Sequence, residues 1–116
     1  EKHEAKLKIE MNDKIKSIIN SGNGPVDATF NAIKKLTLTD FKLKLYQVNA
    51  ITAGTDAQGE VTVRLESDDL SSQAKGSDPD IIVASAKAYI SALNRLLFKK
   101  TKSIVKKSAE IKIEGV

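Results

Sequence analysis

Cysteine is absent from the 116-residue chain, which excludes a disulfide framework and a thiolate metal site and fits a reducing, cytoplasmic setting. Histidine occurs once, as His3 beside the amino terminus, so no nucleophile, base and orienter set built on an imidazole can form. Tryptophan is missing and aromatics amount to 4%, leaving little surface for stacking on bases. No uninterrupted apolar run approaches the ~20 residues that cross a bilayer. Glu1-Lys2-His3-Glu4 lacks the charged-then-apolar order of a signal peptide, so a soluble protein without a membrane partner is expected. The chain starts at Glu1 without Met, which is read as processing or as excision from something longer.

What is present describes an ordinary globular domain. Hydrophobic residues make up 41% and charged residues 29%, with only 6 Gly and 2 Pro, far from disordered or fibrous compositions. The length suits a single domain over residues 1–116, with a core of about 4–99 and a basic tail over 100–116. A net charge of +4 raises the question of nucleic acid. The lysines, however, alternate with apolar residues or lie beside acids, as in Lys6-Leu7-Lys8-Ile9-Glu10, the pattern of a solvated strand face, and no nucleic-acid partner is expected. The acids are scattered or sit in turns such as Asp68-Asp69, and Asp56, Asp78 and Asp80 read as turn and capping residues. No catalytic residue and no metal site are assigned, and no cofactor is expected in this domain.

Periodicity sets out the elements. Ala5, Leu7, Ile9 and Met11 alternate with polar residues as a strand with one buried face. Asn12-Asp13 reads as a turn, and residues 15–19 as a second β segment whose spacing also permits one helical turn. Asn20-Ser21-Gly22-Asn23-Gly24-Pro25 is a run of turn formers closing on a first-turn proline, and Val26, Phe30, Ile33 and Leu36 then predict a helix over 25–36. That glycine loop reads either as a tight strand-to-helix turn or as a small-anion site, because a helix start presents N–H groups and a positive dipole end. From Phe41, Leu43 and Leu45 the apolar phase flips to Tyr46, Val48 and Ala50, as a β-bulge or a change of buried face would produce. Leu43, Tyr46 and Ala50 suit a core and a pocket lining equally well.

Residues 53–59 are turn-rich, and Val61, Val63 and Leu65 alternate in the next strand, completing a hairpin. Residues 67–80 are polar and read as a loop with at most a short strand around 73–75. Asp78-Pro79-Asp80 reads as a cap, a first-turn proline and a first-turn acid for a helix over 79–99. Ala109, Ile111 and Ile113 alternate with charged residues in the tail, a candidate extra strand. The order is strands, helix, strands, helix. It implies an α+β fold of two pseudo-symmetric strands-plus-helix units, with antiparallel sheets packed against helices.

Four segments in register, Gly22 through Ala28, Thr52 through Val61, Asp80 through Ser85 and Ala88 through Asn94, resemble the regulatory domain of the 2-isopropylmalate synthase and citramalate synthase family. The resemblance implies a homodimer, a feedback amino acid held between the two units, and a catalytic barrel with its own divalent metal elsewhere in the parent chain. That barrel is implied to be an acyltransferase joining acetyl-CoA to 2-oxoisovalerate, and this fragment to be non-catalytic. Carried over by position, the effector's backbone groups would meet Asn23, Gly24, Val26 and Asp27. Its side chain would meet Leu43, Tyr46, Ala50, Ala57 and Gly59, with Ser77 and Pro79 closing the site. A small Ala50 favours L-leucine over L-isoleucine. An isoleucine-sensing citramalate synthase domain and a dimerisation module without ligand are the alternatives.

Overall fold

The computed structural model describes the backbone of residues 3–11, 14–22, 24–51 and 58–114, and the side chains of residues 22, 24–49 and 58–102. The Asn12-Asp13 turn and most of the turn expected over 53–59 lie outside the described residues. Two strands-plus-helix units follow one another. Strands β1 (His3–Met11) and β2 (Lys14–Gly22) pair antiparallel from His3↔Gly22 to Met11↔Lys14, and helix α1 (Pro25–Thr37) packs against them. Strands β3 (Lys42–Ile51), β4 (Gln58–Ser67) and β5 (Leu70–Asp78) form a three-stranded antiparallel sheet in the order β3-β4-β5, covered by helix α2 (Ile81–Glu114). The α+β architecture read from the sequence is the one observed.

Helix α1 starts where Pro25 occupies the first turn and ends where Leu38 takes a left-handed conformation, φ 53°. Asp27 near its start and Lys34 and Lys35 near its end oppose the helix dipole. Ala28, Phe30, Ala32, Ile33 and Leu36 bury one stripe. In the second sheet Val61, Val63 and Leu65 of β4 are fully buried, facing Ala84, Ala88, Ala92 and Leu96 of α2.

Three features depart from the sequence reading. First, residues 67–80 are not a loop: a two-residue turn at Asp68-Asp69, with Asp68 at φ 54°, reverses the chain and β5 runs nine residues. Its inward positions are Ser72, Ala74 and Gly76, so the usual alternation of large apolar and polar residues is muted. Second, α2 is capped two residues later than expected. Asp78 accepts the Asp80 N–H at 3.0 Å, while the Asp80 carboxylate accepts the Ile82 N–H at 2.8 Å and its carbonyl the Ala84 N–H at 2.9 Å. Third, the tail forms no extra strand; α2 continues through Glu114. The alternation of Ala109, Ile111 and Ile113 loses to propagation of an already nucleated helix containing no proline.

Residues Ile81–Lys102 of α2 are, by length and a mean hydropathy of 1.4, apolar enough to cross a membrane. Ala84, Ala88, Ala92, Leu93 and Leu96 are buried against the rest of the domain, whereas Ile82, Val83, Leu97 and Phe98 are exposed, so apolar residues lie on both faces of this helix. Lys87 and Arg95 interrupt the apolar run along the sequence.

Small residues allow α2 to sit close. A methyl group on Gly76 would lie 2.5 Å from the Ala84 carbonyl oxygen and 2.6 Å from the Ala88 nitrogen, and the Ser72 hydroxyl donates to the Ala92 carbonyl at 2.5 Å. Gly76→Ala is therefore expected to lower stability by about 1–3 kcal/mol, the usual cost of overpacking, in urea unfolding with unchanged m-value.

Tyr89 is fully buried and its hydroxyl has no hydrogen-bond partner among the described residues. Burial, with a smaller contribution from the Asp40 charge, pushes its pKa up from 10.0 to about 12. Because the folded state keeps a proton that the unfolded state releases, stability is constant below pH 10 and falls as pH rises toward 12, by about 1.4 kcal/mol per pH unit. Tyr89→Phe should abolish that alkaline slope and leave neutral stability unchanged or higher, read by thermal unfolding across pH 8–12.

Candidate functional site

The phase flip in β3 is a bulge. Leu43 pairs with Leu65 and Tyr46 with Val63, the register shifting between Leu43 and Leu45. Residues at an odd spacing normally point to opposite faces; the extra residue turns Leu43, Tyr46 and Val48 to the side that faces the helices, opposite Leu65, Val63 and Val61.

Tyr46 is the centre of this row. Its ring meets Phe30 of α1 edge-on at 5.8 Å, and Phe30 lies 4.5 Å from the Tyr89 ring on α2, so three aromatics join the two units. The Ser85 hydroxyl donates to the Ile81 carbonyl at 2.7 Å, which leaves the Tyr46 hydroxyl to donate to Ser85 Oγ at 2.7 Å. The Tyr46 hydroxyl is thus fixed by the first turns of α2 instead of reaching solvent, the ordinary expectation for a tyrosine on a strand. Sequence reasoning passed over Ser85, Ile81 and Phe30, and their roles had no local signal.

The α1 start lies beside this cluster. Val26 packs against the same core as Tyr46. Gly24 holds the cap position in extended backbone without a side-chain cap, and Pro25 contributes no N–H. The Asp27 carboxylate folds back toward β2: a methyl group on Gly22 would lie 2.6 Å from its Oδ2. Asp27 is already engaged within the chain.

Ala50, Gly59 and Asp78 form one rung across the sheet, next to Glu60↔Ser77. The Ile81 side chain lies over Gly59, so a methyl group there would push Ile81 Cδ1 aside. Asp78 carries the site's perturbed carboxylate: the Asp80 N–H and then the Lys87 ammonium at 2.9 Å hold its pKa below the usual range.

Gly24 and Val26 belong to the α1 start, Tyr46 and Gly59 to β3 and β4, and Ser77 and Pro79 to the approach to α2; of these, Val26 and Tyr46 pack against the same core. Leu43 shares the Tyr46 face but sits toward the Lys42↔Glu66 end, 42% exposed. Of Ala50 the backbone alone is described, and Asn23 and Ala57 lie outside the described residues. A polar depression of ≈ 300 Å³ lined by Asp40, Lys42, Glu66, Ser67 and Asp68 occupies the far end of the sheet, about 25 Å from the Ala50 rung at the usual rise per strand residue. Among the described residues no three His, Cys, Asp or Glu side chains converge to hold a metal ion.

Residues 1–97 match the family model of the LeuA allosteric (dimerisation) domain. The chain is 57% identical over 93 residues to a 2-isopropylmalate synthase of Afipia carboxidovorans, covering 80% of this chain and 18% of that protein. It is 50% identical over 105 residues to the Bradyrhizobium diazoefficiens 2-isopropylmalate synthase, covering 90% and 20%. With that of Rhodopseudomonas palustris it shares 47% identity over 111 residues, covering 96% and 21%. The chain therefore spans about one fifth of the length of these curated relatives.

The Tyr46–Ser85 bond is the measurable joint of the site. Ser85→Ala is expected to cost about 1 kcal/mol, and the double variant with Tyr46→Phe no more than the larger single loss, because both remove one shared bond. Denaturant unfolding of the four proteins of this cycle checks it.

Proposed function

The chain belongs to the LeuA allosteric (dimerisation) domain family, and from that premise we propose that it senses L-leucine, which binds at the α1 start and lowers the activity of a catalytic domain in the same parent chain. The observation that carries this reading is a helix start at Gly24 without a side-chain cap, on a helix whose Val26 packs against the same core as Tyr46. A carboxylate suits the positive end of α1, which has no side-chain cap of its own. A branched aliphatic side chain suits the apolar surface beside Tyr46. Asp27, close to that start, supplies the charge an ammonium group would face.

The name of the relatives, 2-isopropylmalate synthase, supports leucine over isoleucine as the effector; on this reading the parent is an acyltransferase that joins acetyl-CoA to 2-oxoisovalerate in the cytoplasm. The divalent metal of that reaction belongs to the catalytic domain. Inhibition requires leucine to bind two arrangements of the domain unequally, typically by about 1–3 kcal/mol. The aromatic contact of Phe30 with Tyr46 and Tyr89 is the place where the two units can change their fit.

Calorimetric titration of the chain with leucine, isoleucine and valine tests the proposal. Leucine is expected to bind most tightly, and Tyr46→Ala and Asp27→Ala to weaken it roughly tenfold or more, the scale of one lost pocket contact. Preference for isoleucine would move the parent to the citramalate synthase branch. Absence of heat with all three would remove the sensor role and leave a dimerisation module.

A further inference from the structure

A three-stranded sheet has two free edges, and here they are treated differently. Along β5, cationic side chains of α2 reach over the strand and occupy its carbonyls. Lys99 Nζ donates to the Ser71 carbonyl at 2.5 Å, Arg95 Nη1 to that of Gln73 at 2.9 Å, and Lys87 Nζ to that of Ser77 at 3.4 Å. The acceptors are alternate residues, which in an antiparallel ladder all turn away from the neighbouring strand. The donors recur one and two turns apart, so a single margin of α2 overhangs the β5 edge. Occupied acceptors and a row of positive charge keep another strand from adding there.

Among the described residues no helix side chain covers the β3 carbonyls, and the features that guard this edge, Lys42, Lys44 and the bulge between Leu43 and Leu45, are confined to one end of it. Leu43 and Val48 are 42% and 45% exposed, although their cross-strand partners Leu65 and Val61 are wholly buried. Resting on the family's dimer-forming role, we propose that a second copy of this chain docks on the outer edge of β3, strand to strand and antiparallel about a twofold axis, covering Leu43 and Val48.

The charges of β3 select the copy and its direction. Lys42 and Lys44 occupy one end of the strand, while Gln47 and Asn49 at the other are uncharged. A twofold axis across mid-strand sets the lysine end of one chain against the uncharged end of the other, whereas parallel pairing would stack lysine on lysine. The same axis brings Leu43 of each chain toward the Val48 end of its partner, so each exposed apolar side chain gains cover.

Because the protein contains no cysteine, single introduced thiols report without background. Gln47→Cys on β3 is expected to form an intermolecular disulfide under mild oxidation at least tenfold more readily than Gln73→Cys on β5, and Val48→Lys to weaken self-association roughly tenfold or more in sedimentation, with an unchanged circular dichroism spectrum. A wild-type dimer that yields no cross-link at position 47 and is indifferent to Val48→Lys would overturn the β3 surface while leaving the dimer-forming role intact. A wild-type chain that stays monomeric at all concentrations would overturn both.

Discussion

Helix α2 can lie close to β4 and β5 only because small residues face one another across the contact: Ser72, Ala74 and Gly76 from the sheet, Ala84, Ala88 and Ala92 from the helix. Close approach leaves no room for a Cβ at Gly76. It also sets the reach of everything else on the helix. Ser85 arrives within hydrogen-bonding distance of Tyr46, Tyr89 stacks on Phe30, and the longer cationic side chains along one margin extend past the sheet to the outer carbonyls of β5. With bulkier residues in the contact the helix would stand off, and these interactions would be lost together.

Among the described residues, the rings of Phe30, Tyr46 and Tyr89 join the two units. Tyr46 is therefore placed to respond to both ends of the proposed mechanism. It adjoins the α1 start, where an amino acid carboxylate would sit, and it belongs to the edge strand left open for a partner. A ligand can shift an assembly only through contacts that differ between its states, and a residue shared by both surfaces is where such a difference is most directly felt. The buried, unpartnered Tyr89 hydroxyl beside it is a cost carried within that same joint.

Much of the fold was legible from local pattern. The alternation in β1, the proline and glycines before α1, and the apolar phase change in β3 each reflect a backbone requirement satisfied within a few residues. The candidate site was legible only where such signals coincide with it, at Gly24 and Val26 and at the bulge that turns Tyr46 inward. Ser85 and Ile81 escaped notice because a serine and an isoleucine in a helix carry no mark of the tyrosine or glycine they will meet. Strand β5 escaped for a related reason: its buried positions are small, and hydropathy alternation cannot distinguish a serine chosen for closeness from one chosen for solvent.

Sequence by itself determined the extended stretches of β1 and β4, the helix α1 and the phase change in β3, because those properties depend on residues adjacent along the chain. Tertiary structure alone decided how close α2 lies to the sheet, which of the two sheet edges is sealed, and which aromatic hydroxyl finds a partner. Those outcomes depend on distances between residues far apart in sequence, such as Lys99 and Ser71 or Tyr46 and Ser85, and such distances exist only after the small residues of β5 have let the helix close upon the sheet.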